Sequence, residues 1–76
     1  MDITQYEFEI KRHALIRSME RKVTPDMIEA TLKGGTITKF GKNNVKFSKQ
    51  YKKFEVVCIG EIMGTKIKII TIETKE

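Results

Sequence analysis

The chain holds one cysteine, so no intrachain disulfide can staple it and no cysteine-rich zinc site can form. The neighbours of that cysteine, Val56-Val57-Cys58-Ile59, point to a buried thiol serving as a small hydrophobe and not to a reactive nucleophile. One histidine and scattered carboxylates supply no metal-ligand spacing, so neither a metal nor a cofactor is expected. No phosphate-cradling glycine loop is present, because Gly34-Gly35 follows a helical stretch instead of opening one. No apolar run approaches the length of a membrane span, and Asp2, Glu7 and Glu9 are wrong for a secretory signal. A soluble, cytoplasmic protein without a membrane partner is the expectation. Internal repeats, linkers and low-complexity tracts are missing as well, which leaves one small domain of 76 residues that must be held by its apolar core alone.

What is present is positive charge, unevenly placed. The formal net charge is +5. Residues 1–38 carry six basic and six acidic side chains, whereas residues 39–76 carry nine lysines against four glutamates. Lys39, Lys42, Lys46, Lys49, Lys52 and Lys53 fall in one acid-free segment, interleaved with Phe40, Phe47 and Tyr51. Basic residues mixed with aromatics favour a polyanion, most simply a nucleic acid, or an acidic partner protein. The competing reading is structural: lysines blunt an edge strand while the aromatics fill the core.

The hydrophobic pattern divides the chain. Tyr6-Glu7-Phe8-Glu9-Ile10 alternates with period two, as a half-buried strand does. From Lys11 the period becomes helical, and a first helix is expected over about 11–22, with Leu15, Ile16 and Met19 on one face and His13, Arg17, Glu20 and Arg21 on the adjacent polar face. Thr24-Pro25-Asp26 then supplies a cap, a proline at the first helical position and an acid in the first turn. This second helix should run to about Lys33 with Met27, Ile28, Thr31 and Leu32 inward, and stop at Gly34-Gly35. Met19 and Met27 are expected as core filler, and Met63 in a loop. Four β-prone runs follow, over about 36–40, 45–48, 54–60 and 66–72, the third apolar enough to be central and covered on both faces. Strand, two helices and an antiparallel meander make an α+β fold, a two-helix hairpin on a four- to five-stranded, mainly antiparallel sheet.

His13, Arg17 and Arg21 recur every four residues, and on a helix they lie along one stripe. With Thr24-Pro25-Asp26, Gly34-Gly35 and Ile70-Thr71-Ile72, this His-x3-Arg-x3-Arg pattern resembles a small bacterial and archaeal domain family of unknown function. The resemblance covers about residues 8–74. That family is similar to the RelE/ParE-like toxins, so the resemblance implies a RelE-like α+β fold, ribonuclease activity, and an acidic antitoxin as partner. Two departures stand out. Ile10 occupies the place of a serine frequent three residues before the histidine, and Lys22 replaces a glycine after the second arginine.

Metal-independent RNA cleavage needs a base for the ribose 2′-hydroxyl, an acid for the leaving oxygen and cations for the phosphorane. His13 is the natural proton-transfer group, read here as the base, with Arg17 and Arg21 gripping the phosphate. Glu20 is placed to pair with Arg17. The acid is open: Tyr51 or a lysine of the basic segment could supply it. Lys39, Lys42, Lys46, Lys49, Lys52, Lys53 and Tyr51 would bind flanking RNA. The alternatives are a non-catalytic nucleic-acid-binding or regulatory module on the same basic face, a partner-binding domain using a sheet edge, and a stripe that merely solvates its helix.

Overall fold

Two helices pack on a five-stranded mixed sheet in the computed structural model, which describes residues 3–76. Met1 and Asp2, the latter counted among the N-terminal acids above, lie outside the described residues. A 3-10 turn, Ile3–Gln5, leads into β1 (Glu7–Ile10), α1 (Arg12–Glu20) and α2 (Pro25–Gly34). The strands β2 (Thr36–Phe40), β3 (Asn44–Gln50), β4 (Glu55–Met63) and β5 (Lys66–Lys75) follow as an antiparallel meander. The sheet order is β1-β5-β4-β3-β2, with β1 parallel to β5. That one parallel pairing makes the sheet mixed. It arises because the two helices carry the chain from one edge of the sheet to the other before β2 begins.

The core lies between helices and sheet. Phe47, Ile67, Ile69, Ile72, Val45, Val56 and Cys58 are fully buried and pack with Ala14, Ile28 and Leu32 from the helices. Phe8 meets Phe47 edge-on, with ring centroids 5.6 Å apart and planes at 73°, which fastens the short strand β1 over the core. The central strand β4 has Val56, Val57 and Cys58 buried in succession, so both its faces are covered there. α2 starts as its sequence dictates: Thr24 accepts from the Met27 amide at 3.2 Å, and Pro25 occupies the first turn. Its end packs closely on β3. A Cβ on Gly35 would meet the Ser48 carbonyl at 2.4 Å and the Thr31 carbonyl at 2.5 Å, so only glycine fits.

α1 departs from expectation in which residues it buries. Ala14 and Ser18 are buried, whereas Leu15, Ile16 and Met19 are exposed, Met19 at 71%. Met19 is therefore not core filler, although Met27 does pack against the core. The reason is distance: two small side chains let α1 lie close on β5, and larger ones there would push it away. The helix is also shorter than expected. It closes with the Lys22 amide bonded to the Met19 carbonyl and the Val23 amide to the Ser18 carbonyl, a Schellman ending. The residue in the left-handed position that this ending requires is Lys22, at φ 60°.

β5 carries a bulge. Ile59 lies opposite Thr71 and Gly60 opposite Ile69, so Ile70 is the extra residue. The bulge shifts the alternation of the strand: Ile67 and Ile69 point into the core before it and Ile72 after it. Thr71 and Glu73 are thereby turned to the opposite face.

Candidate functional site

β1 pairs with β5 only over Lys66–Ile69. Beyond that register the chain turns into α1, which runs along β5 in place of a strand. On α1 the buried positions Ala14 and Ser18 are continued by Arg21, at i, i+4 and i+7. Each four-residue step back along the His13-Arg17-Arg21 stripe rotates about 40° around the helix. Arg21 therefore emerges from the packed face, Arg17 lies beside it, and His13 faces solvent. Exposure follows the same order: side-chain values are 34% for Arg21 and 42% for Arg17, and His13 is exposed.

Both guanidinium groups converge on one carboxylate. Arg21 Nη2 lies 3.1 Å from Glu73 Oε2, and Arg17 Nη1 lies 3.7 Å from Glu73 Oε1. Thr71 Oγ1 donates to the same Oε1 at 3.3 Å. Glu20 thus does not take the partner role expected of it, because Glu73 reaches both arginines from β5. Arg21 Nε is buried without a hydrogen-bond partner. The His13 side chain makes no hydrogen bond or ion pair among the described residues. The result is a cluster of two cations sharing one anion, with a free imidazole one helical turn away. Two members, Thr71 and Glu73, were missed as site residues. Thr71 belonged to the pattern that carried the resemblance, but Glu73 gave no local signal, since its position depends on the bulge.

The six lysines of the basic segment do not form one patch. Lys46 is aligned across the sheet with Ile59 and, beyond it, Thr71, on the face that carries Glu73. Two strand spacings, about 10 Å, separate Lys46 from Thr71. Lys39 and Lys49 alternate to the helix-bearing face, opposite the buried Val45 and Val56. Lys42 sits in the β2–β3 turn, and Lys52 and Lys53 in the β3–β4 connection at the other end of β3. Tyr51 has a packing role: its hydroxyl donates to the Met27 carbonyl at 3.1 Å, and its ring stacks on Phe54 with centroids 6.0 Å apart.

Cys58 is buried, and burial pushes its thiol up from 9.0 to about 12. It is a packing residue. Among the described residues no three His, Cys, Asp or Glu side chains come together as a metal site would need. Nor is any described helix long and apolar enough to cross a membrane. No family model, curated protein or solved structure matches the chain.

Proposed function

We propose that this protein is a metal-independent ribonuclease, the toxin of a toxin–antitoxin pair, and that the α1–β5 cluster is its active site. One observation supports this above the others: Arg17 and Arg21 are held side by side by Glu73, with His13 unpartnered one turn further along the helix. Two planar forks suit the oxygens of a single phosphodiester, and an exposed imidazole beside them can move a proton. Lys46 lies on the same face of the sheet as Glu73, about 10 Å from Thr71, and adds positive charge there. The toxin role, with an acidic antitoxin as partner, is carried by the resemblance in the His-x3-Arg-x3-Arg pattern.

In this chemistry the ribose 2′-oxygen loses its proton and attacks phosphorus. The bond to the 5′-oxygen breaks, and that oxygen leaves protonated, giving a 2′,3′-cyclic phosphate. Arg17 and Arg21 hold the charge that develops on the non-bridging oxygens, and His13 supplies one of the two proton transfers.

The test is cleavage of RNA in EDTA by the wild type, His13→Ala and Arg17→Ala. Cleavage by the wild type that falls by about 10²–10⁴-fold in His13→Ala is the expected result. Salt-sensitive RNA binding without cleavage, unchanged by His13→Ala, would instead identify a nucleic-acid-binding module.

A further inference from the structure

Cleavage by proton transfer needs two groups; the sequence offered His13 as one and left the other open between Tyr51 and a lysine of the basic segment. The structure places a carboxylate, Glu73, in the cluster instead. Resting on the ribonuclease reading above, we propose that Glu73 is the general base of the site and His13 its general acid.

Glu73 receives Arg17 and Arg21 at 3.7 and 3.1 Å and the Thr71 hydroxyl at 3.3 Å. All three neighbours are donors, so both carboxylate oxygens are set as acceptors within the cluster. His13 lies about 6 Å along the helix axis from Arg17, on the side away from Arg21. In the proposed complex a phosphate gripped by Arg17 has the carboxylate on one flank and the imidazole, one turn along α1, on the other. These are the two flanks that an in-line displacement needs, one for the attacking oxygen and one for the leaving oxygen. An entering phosphate also draws the guanidinium groups onto its own oxygens, which leaves Glu73 less occupied and beside the nucleophile.

The step balances. The 2′-hydroxyl proton passes to a Glu73 oxygen as the O2′–P bond forms. The P–O5′ bond breaks as the His13 imidazolium gives its proton to O5′. Solvent then returns each group to its starting state. The bulge at Ile70 is what makes this arrangement available, because without it Thr71 and Glu73 would keep the alternation of Ile67 and Ile69 and point into the core.

Arg17 and Arg21 are the charged groups in contact with Glu73, and Lys46, Glu55 and Lys75 lie on the same face of the sheet.

The experiment is the pH–rate profile for cleavage of a short RNA oligonucleotide by the wild type, Glu73→Gln and His13→Ala. The wild-type rate is expected to fall on the alkaline side, where imidazoles lose their proton, and that limb should vanish in His13→Ala. Glu73→Gln should lower kcat by about 10²–10⁴-fold with little rise in KM, since the amide keeps an oxygen toward the arginines and removes a negative charge beside the phosphate. A wild-type rate that instead rises to a plateau as His13 deprotonates would make His13 the base and overturn the proposal. So would full kcat in a folded Glu73→Gln. If that variant does not fold, the wild-type and His13→Ala profiles still decide whether His13 is the acid or the base. A wild type that cleaves nothing refutes the ribonuclease reading itself, and this assignment with it.

Discussion

Replacing Lys22 with glycine should stabilise this protein. Lys22 sits at φ 60°, as the left-handed residue that closes α1, and its amide is committed to the Met19 carbonyl. An L-residue with a Cβ in that region costs roughly 1–2 kcal/mol. Glycine removes that cost but gives the unfolded chain more freedom, about 0.5–1 kcal/mol. The net gain expected for Lys22→Gly is about 0.5–1 kcal/mol. For a domain of this size that corresponds to a rise in Tm of about 2–8 °C. The lysine charge is a complication, since a cation near a helix C-terminus is itself mildly favourable. Lys22→Ala removes the same charge and keeps the Cβ, so the difference between the two variants isolates the backbone. Thermal unfolding of wild type, Lys22→Gly and Lys22→Ala under one buffer condition reads it directly. Equal stability of the glycine and alanine variants would refute the claim that backbone conformation is what Lys22 opposes.

Two further outcomes follow from the packing. Ala14→Leu should cost about 1–3 kcal/mol by forcing α1 off β5, while Met19→Lys should change stability by less than about 0.5 kcal/mol, and denaturant titration of both checks which face of α1 is packed. Cys58 has a folded-state value raised to about 12 from 9.0, so its protonated thiol contributes stability that is fully present below about pH 9 and declines from there toward pH 12. Comparison with Cys58→Ala across that range should show the wild type losing stability more steeply, and parallel pH dependences would contradict the assigned burial.

Much of the fold was legible because its signals are local. Thr24-Pro25-Asp26 started α2 as caps do, Gly34-Gly35 ended it, and the β-prone runs from Thr36 onward became the meander with small shifts of boundary. Burial on α1 was not legible from hydrophobicity. Leu15, Ile16 and Met19 look like a core face, but a helix lying close to a strand needs small residues at the contact, and only the tertiary arrangement shows that Ala14 and Ser18 supply them.

The same division holds for the site. The sequence by itself determined the stripe of His13, Arg17 and Arg21, because a four-residue interval on a helix needs no tertiary information to align side chains. It also determined the lysine-rich character of the second half, though strand alternation then spread those lysines over two faces and two ends of the sheet. Only the tertiary structure decided what the arginines meet. Glu73 is more than fifty residues from them in the chain and reaches them because a one-residue bulge turns its face of β5 outward beside α1. Register between distant segments is set by the packing of the whole sheet and leaves no mark in the local pattern of residues.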